Sequence, residues 1–129
     1  MAIGKLPKVL VAEDNALIAM SLREVLDLFG FDVVGVAASV TDALCLAHYT
    51  QPDLAIFDIH LAGKRDGIEG AASLREFRDI PVVFLTAQGD RETRDRAAEL
   101  SPAAFLYKPV STTQMITALK DALRRSDFS

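Results

Sequence analysis

Short apolar runs alternate with longer amphipathic stretches along the whole of this 129-residue chain. The runs are mostly apolar throughout instead of alternating with polar residues, which is typical of strands buried on both faces of a sheet. They predict strands at residues 9–12, 32–36, 54–57, 81–85 and 103–107. The other stretches predict helices at residues 16–29, 41–49, 68–77, 90–100 and 113–125. Strand–helix alternation favours right-handed crossovers, so the sequence predicts a doubly wound α/β sandwich with a five-stranded parallel sheet. A different strand order within this class remains open.

The first predicted helix is the most regular of the amphipathic segments. Leu17, Met20, Val25 and Leu28 recur in it at helical spacing, and Gly30 is a suitable stop. We therefore expect a helix that begins at residue 16 and ends just before this glycine.

The second predicted helix has two candidate N-caps, Ser39 and Thr41, because both side chains can accept a hydrogen bond from a first-turn amide. Cys45 lies on the same helix, and Tyr107 lies at the end of the fifth predicted strand. We expect both of these side chains to serve only in packing.

The charge and the cysteine content exclude several classes of protein. The net charge is -4 and the pI is about 5.1, which argues against direct binding to nucleic acid and is compatible with a cation site or a basic protein partner. A single cysteine excludes an internal disulfide. No apolar run approaches the roughly 18 residues that a membrane span needs, and residues 1–8 lack the apolar region of a signal peptide. We expect a soluble cytoplasmic protein without a membrane contact.

Reactive side chains follow four of the predicted strands. Ligands of doubly wound sheets bind at the carboxyl ends of the strands, near the point where the strand order reverses. Glu13 and Asp14 follow the first strand, Asp58 the third, Thr86 the fourth and Lys108 the fifth. Nothing reactive follows the second strand. If the first and third strands are neighbours, three carboxylates converge on one spot.

Three carboxylates at one spot repel each other, and a divalent cation relieves that repulsion. Oxygen ligands without cysteine or a histidine pair suit a hard ion such as Mg2+, which commonly uses one or two carboxylates together with phosphate oxygens. One carboxylate then remains free to act as a nucleophile and form an acyl phosphate. Lys108 supplies a positive charge and Thr86 a hydroxyl donor for the phosphoryl group. The strand ends therefore contain what a phosphorylated aspartate requires.

Four segments in order resemble the response-regulator receiver family of two-component signalling. They are VLVAEDN at 9–15, FD at 57–58, FLTA at 84–87 and FLYKP at 105–109. Each motif alone is weak, but the match covers nearly the whole chain, from about residue 7 to residue 123. The resemblance implies a flavodoxin-like (β/α)5 fold with strand order 2-1-3-4-5 and one receiver domain spanning 1–129, with a core at about 7–125.

The resemblance also implies roles for the acidic residues. Asp58 would be the phosphoacceptor, and Asp14 would bind Mg2+ directly. Glu13 would contact the ion largely through water, and the backbone carbonyl of His60 would be the remaining protein ligand.

The remaining motif residues would handle the phosphoryl group and transmit its presence. Thr86 would bond one phosphoryl oxygen and Lys108 another, while the small Ala87 leaves access beside them. Pro109 resembles the family's cis-proline, which aims the lysine. Phosphorylation would draw Thr86 inward, Phe105 would turn into the vacated space, and the face formed by the fourth helix, fifth strand and fifth helix would change shape by a population shift.

The chain departs from the family pattern at Glu13 and at His60, and Gln88 is the natural companion of His60 across the phosphoryl group. The first member of the acidic pair is glutamate, Glu13, a variant that should preserve the site. His60 and Gln88 stand two residues after Asp58 and Thr86 respectively, where the family tunes the lifetime of the phosphoryl group. Histidine titrates near neutral pH, so we hypothesise that this lifetime depends on pH through His60.

We expect a single-domain response regulator, phosphorylated by a histidine kinase or a histidine phosphotransfer protein, that acts by binding another protein. The chain ends at Ser129 soon after the last helix, and the start at Met1 mildly favours a complete small protein. A shuttle in a phosphorelay and a receiver excised from a hybrid kinase or multidomain regulator stay open. The protein would be a monomer or a phosphorylation-dependent dimer, and it would not be an enzyme beyond assisting its own phosphorylation and dephosphorylation.

Two other classes of function are weaker alternatives. A small phosphatase with Asp58 as nucleophile would need a second aspartate two residues later, where this chain has His60, and a cap domain. A pseudo-receiver that serves only as a scaffold is disfavoured because the site is complete.

Overall fold

The computed structural model describes residues 5–87 and 89–126, which form five strands that alternate with five helices. The strands are β1 (Lys8–Ala12), β2 (Asp32–Ala37), β3 (Leu54–Asp58), β4 (Val82–Thr86) and β5 (Ala104–Tyr107). The helices are α1 (Ala16–Leu28), α2 (Val40–Thr50), α3 (Gly67–Phe77), α4 (Arg91–Ala98) and α5 (Thr112–Arg125). The predicted elements are all present, with boundaries that differ by one or two residues.

All five strands lie in one parallel sheet with the order β2-β1-β3-β4-β5. The order reverses between β1 and β3, which places the ends of these two strands beside each other at the centre of the sheet. The predicted doubly wound fold and its strand order are thus confirmed, and the strand orders that the sequence left open are excluded.

Two apolar layers enclose the sheet because successive residues of each strand point to opposite faces. Leu10, Phe57 and Phe84 belong to the layer that also contains buried residues of α2, α3 and α4. Ile56 and Leu85, their chain neighbours, belong to the layer formed with α1 and α5. The three central strands are buried along nearly their whole length, which explains why their sequences are apolar without alternation.

Side-chain caps begin all five helices. The cap of α2 is Ser39, whose hydroxyl oxygen accepts a hydrogen bond from the amide of Asp42, so one of its two candidate caps is confirmed. Asp90, which the sequence placed inside α4, is instead the residue that caps this helix through the amide of Thr93. A carboxylate that satisfies a first-turn amide must itself stay outside the helix, and α4 is correspondingly shorter than predicted.

The apolar face of α1 differs from the pattern that the sequence suggested. Leu17, Met20 and Leu28 are 76%, 59% and 80% exposed, whereas Ala19 and Leu26 are buried against the sheet. The three larger residues therefore form a stripe that faces solvent. Helix α1 is apolar on more than one side, so their regular spacing did not mark the side that packs against the sheet. Periodicity located the helix but did not identify its buried face.

Two residues assigned to packing are not in the core. Cys45 is exposed on α2, and the side chain of Tyr107 is 44% exposed at the end of β5. The assignment of Cys45 was wrong because it lies on the outward face of α2. Tyr107 is only partly covered, and its ring packs against Phe105 and lies beneath Arg94 of α4. None of the described helices combines the length and the hydropathy that crossing a bilayer would require.

Candidate functional site

Three carboxylates meet where β1 and β3 end. Glu13 and Asp14 directly follow β1, and Asp58 is the last residue of β3. One carboxylate oxygen from each lies within 4.8 Å of the others. Glu13 and Asp58 are 2% and 4% exposed, whereas Asp14 is open to solvent. The adjacency of β1 and β3 therefore brings the three acidic residues together as predicted.

Lys108 supplies a cation at the same spot, although β5 is two strands away from β3 in the sheet. Its Nζ lies 2.7 Å from Glu13 Oε1 and 2.8 Å from Asp58 Oδ2. Its backbone amide donates to the Thr86 carbonyl at 2.8 Å, and the Lys108–Pro109 peptide bond is cis. The side chain of Lys108 reaches across the end of β4 and joins the two buried carboxylates.

Burial and charge shift the pKa values of this group in a consistent way. Burial raises the pKa of Glu13, and the neighbouring Asp58 raises it further, although Lys108 and the Asn15 amide act in the opposite direction. Burial alone would lower the pKa of Lys108, but its bonds to Asp58 and Glu13 outweigh burial and raise it. Lys108 is therefore a fixed positive charge at neutral pH, and burial makes the charged form of Glu13 less favourable than it is in water.

The raised pKa of Glu13 predicts a pH-dependent stability of the metal-free protein. The folded protein holds the Glu13 proton more tightly than the unfolded chain does. The free energy of unfolding should therefore fall as pH rises from the ordinary pKa of this carboxyl, 4.5, through its raised pKa in the folded protein. Glu13→Gln mimics the protonated form, so we expect this variant to match the wild type below that window and to be more stable above it. Denaturant unfolding with a chelator across this pH range measures the difference. A difference in the free energy of unfolding between the two proteins that stays constant with pH would contradict the prediction.

The remaining predicted residues lie around this cluster in different settings. The His60 amide donates to Asp58 Oδ1 at 3.1 Å, while its side chain is exposed. Thr86 is fully buried at the end of β4, and the adjacent Ala87 is exposed. Gln88 lies outside the described residues. The backbone of the acceptor loop thus orients one carboxylate oxygen of Asp58, and Lys108 holds the other.

Phe105 lies between two other aromatic residues. It is half-buried on β5, and its ring centroid lies 6.4 Å from that of Phe84 and 5.4 Å from that of Tyr107. Register pairs Phe105 with Phe84, two residues before Thr86. The pairing of β4 with β5 therefore offers a route by which a change at Thr86 could reach this ring.

Gly67, the first residue of α3, is a residue whose importance the sequence analysis did not identify. Its amide donates to the Ile59 carbonyl at 2.7 Å, and a Cβ at this position would lie well inside van der Waals contact with the Asp58 carbonyl oxygen. Only glycine lets the start of α3 approach the acceptor strand so closely. The preceding Asp66 accepts from the Glu69 amide in a capping box and from Arg96 at 2.9 Å. The pair Asp66-Gly67 was the available sequence signal.

Gly67→Ala is expected to lower the free energy of unfolding by about 2 kcal/mol, because the added methyl group meets backbone that cannot rotate away. Urea denaturation measures the loss. Gly35→Ala is the matched control, since a Cβ there would meet only the flexible end of Leu46. Equal losses in the two variants would show that the approach of Gly67 to Asp58 is not special.

The donor set of the cluster fits a hard divalent cation. It consists of carboxylate oxygens alone, it brings three negative charges together, and Asp14 leaves it open to solvent on one side. Glu13, Asp14 and Asp58 are the side chains that could hold such an ion. The ammonium of Lys108 compensates part of the same charge through its bonds to two of these three carboxylates.

Comparison with known proteins agrees with this arrangement. A family model of the response regulator receiver domain matches residues 9–120. The transcriptional regulatory protein PdtaR of Mycobacterium tuberculosis is 40% identical over 118 residues, which make up 92% of this chain and 57% of PdtaR. The chain thus spans little more than half the length of this relative.

Two solved receiver domains superpose closely. The signal receiver domain of a modulated diguanylate cyclase from Desulfovibrio desulfuricans G20 is 36% identical with a TM-score of 0.90, and the match covers 95% of this chain and 98% of that one. A CheY-like receiver domain protein from Methanospirillum hungatei JF-1 gives a TM-score of 0.89 with the same coverage, and at 22% identity it supports the fold alone. With the family match over residues 9–120, these similarities show that the chain belongs to the response regulator receiver domains of two-component signalling, which are signalling domains and not conventional enzymes.

Proposed function

We propose that this receiver domain accepts a phosphoryl group on Asp58 in a reaction that depends on Mg2+. The observation that carries the proposal is the position of Asp58, buried at the end of a central strand, with the ammonium of Lys108 at 2.8 Å and two further carboxylates within reach. A structural aspartate has no need of this many charged neighbours in a site that opens to solvent.

The metal ligands in this proposal are Asp14 and Asp58, with Glu13 acting largely through water and the His60 backbone carbonyl as a further ligand. A bound Mg2+ would neutralise the acidic cluster and the incoming phosphoryl oxygens. The chain's own residues arrange this site: β1 and β3 set the spacing of the carboxylates, and the His60 amide fixes the Asp58 carboxylate at 3.1 Å.

The transfer step forms one bond and breaks one. A carboxylate oxygen of Asp58 attacks the phosphorus, and the bond from phosphorus to the donor breaks, so that the donor, an imidazole or a small carboxylate, leaves with its electron pair. Lys108 shifts from the carboxylates to a phosphoryl oxygen, and the Thr86 hydroxyl donates to another. Ala87 leaves space beside them, and Pro109 follows Lys108 directly in the chain.

The output in this proposal is a population shift of the α4-β5-α5 face. Thr86 moves toward the phosphoryl group, and Phe105, which is coupled to β4 through Phe84, turns into the space that opens. The tethering of β5 to Thr86 through the Lys108 amide supports this coupling. A protein partner then recognises the changed face.

The partners in this proposal are a histidine kinase or a histidine phosphotransfer protein as donor and a downstream protein as target. Residues 1–129 would act as one receiver domain, either alone or as part of a longer regulator, as a monomer or as a dimer formed on phosphorylation. The anti-anti-sigma factor PhyR from Bartonella quintana, which is 26% identical to this chain, illustrates one kind of protein that contains such a domain.

The proposal is tested by intact mass after incubation with acetyl phosphate, with Mg2+ and with a chelator. We expect the mass of one phosphoryl group to be gained only when Mg2+ is present. If the folded protein gains no mass under either condition, the proposal is wrong and a scaffold function is favoured. If inorganic phosphate is released without any gain in mass, a phosphatase is favoured instead.

His60 provides a separate prediction on the lifetime of the phosphoryl group. Its side chain is exposed two residues after Asp58. In this proposal it contacts the water that attacks the acyl phosphate. We expect the decay rate of the phosphorylated protein to vary with pH near neutrality in the wild type and to vary less in His60→Ala. His48→Ala, a change at an exposed histidine on α2, serves as the control. Matching profiles for wild type and His60→Ala would refute the role.

A further inference from the structure

A cleft of about 460 Å³ lies at the edge of the sheet opposite to Asp58. It opens between the segments that precede β4 and β5 and the last turn of α5. Part of its wall is apolar and comes from Ile80, Pro81, Pro102, Ala103 and Ala122, and the rest is polar. The proposed phosphorylation residues all lie at the other ends of the strands, so this cleft is a separate feature of the molecule.

Two arginines line the cleft without a carboxylate partner among residues 5–87 and 89–126. Arg75 donates from Nη1 to the Leu100 carbonyl, and its buried Nε has no hydrogen-bond partner among the described residues. Arg125 donates to the carbonyls of Ala103 and Asp121 at 3.3 and 3.4 Å. Within residues 5–87 and 89–126, neither guanidinium has a carboxylate oxygen within 4.0 Å.

This lack of pairing is unexpected in an acidic chain. Arg124, the neighbour of Arg125, forms an ion pair with Asp121. Burial lowers the pKa of Arg75, and the charge of Asp79, which also lines the cleft, offsets this only in part. Among the described residues, the cleft is therefore lined by two guanidinium groups and by one carboxylate, that of Asp79.

We propose that this cleft binds a small molecule that carries an oxyanion on an apolar body. Guanidinium groups present forked N–H donors that match the oxygens of a phosphoryl or carboxylate group. The apolar wall offers a surface to the rest of the ligand, and the volume lies in the range of small-molecule sites. Asp79 would repel a second negative charge, so the cleft favours a ligand with one anionic end.

The test uses the full chain, labelled with 15N, and phenylphosphonate as the probe. We expect saturable shifts of the amides at Ile80, Ser101, Ala103 and Ser126, with a dissociation constant on the order of 1 mM. Benzyl alcohol, which lacks the charge, and inorganic phosphate, which lacks the apolar body, should each bind at least about tenfold more weakly. Benzoate in the same assay distinguishes a carboxylate ligand from a phosphoryl ligand, and tighter binding of either one supports the oxyanion site.

Three variants separate the cleft from general charge effects. Arg75→Gln and Arg125→Gln should each weaken phenylphosphonate binding about tenfold, whereas Arg124→Gln should change it less than about twofold. If Arg75→Gln fails to fold, Arg125→Gln carries the test, because its side chain is exposed. The proposal would be overturned if no saturable shifts occurred at the cleft or if the shifts centred on the strand ends around Asp58. It would also be overturned if Arg124→Gln weakened phenylphosphonate binding as much as Arg125→Gln does. Phosphorylation of Asp58 does not enter into any of these readouts.

Discussion

Lys108→Met is expected to bind Mg2+ more tightly and yet to be phosphorylated far more slowly. In the wild type the ammonium lies within 2.8 Å of both buried carboxylates, so it must yield part of these contacts when a cation binds. Removal of this competing charge should tighten Mg2+ binding about tenfold. The same change removes the cation that would stabilise the transferring phosphoryl group, which should slow phosphoryl uptake by about 100-fold or more.

Calorimetric titration with Mg2+ and the rate of mass gain from acetyl phosphate measure the two effects separately. Lys64→Met is the matched control, because Lys64 is an exposed lysine in the loop between β3 and α3. Tighter Mg2+ binding together with slower phosphoryl uptake distinguishes this account from simple damage to the fold, which would weaken the binding and slow the uptake. A Lys108→Met protein that binds Mg2+ less tightly, or that is phosphorylated at the wild-type rate, would contradict the role given to Lys108.

Asp58→Asn is expected to abolish phosphoryl uptake while the fold is retained. The amide cannot act as the nucleophile, and its oxygen accepts the hydrogen bond from the His60 amide as before. The variant should also be as stable as the wild type or about 1 kcal/mol more stable, because one of three clustered carboxylates is removed while Lys108 keeps Glu13 as a partner.

Asp14→Asn is the comparison that separates the acceptor from the metal ligands. This change weakens cation binding but leaves the nucleophile, so we expect slow uptake that recovers in part at raised Mg2+. Intact mass and thermal unfolding measure both variants. Uptake by Asp58→Asn at a rate near that of the wild type would exclude Asp58 as the acceptor.

Much of the fold was predictable because burial on two faces leaves a clear trace in sequence. The strands that follow this rule, such as β3 and β4, were located to within a residue. The acidic cluster followed from the strand ends alone once β1 and β3 are neighbours. The hydroxyl of Thr86 was also noted from its strand end, but its inward movement and the parts assigned to Phe105 and Ala87 came from resemblance to the receiver family, because no spacing rule distinguishes these residues from ordinary ones.

Other features depend on contacts that a linear pattern does not contain. The buried face of α1 is marked by Ala19 and Leu26, and the larger residues around them obscured it. The need for glycine at Gly67 arises from the approach of one backbone to another. The bonds from Lys108 to two carboxylates at once depend on the path of its side chain across β4, which strand order alone does not define.

The central claim, that Asp58 carries the phosphoryl group, is tested most directly by chemical trapping. Borohydride reduces an acyl phosphate to an alcohol, so a phosphorylated aspartate becomes homoserine while free carboxylates stay unchanged. The protein would be incubated with acetyl phosphate and Mg2+, reduced, digested and mapped by tandem mass spectrometry. The account predicts homoserine at position 58 and nowhere else. Conversion at Glu13 or Asp14, or phosphorylated protein with no conversion at position 58, would contradict it.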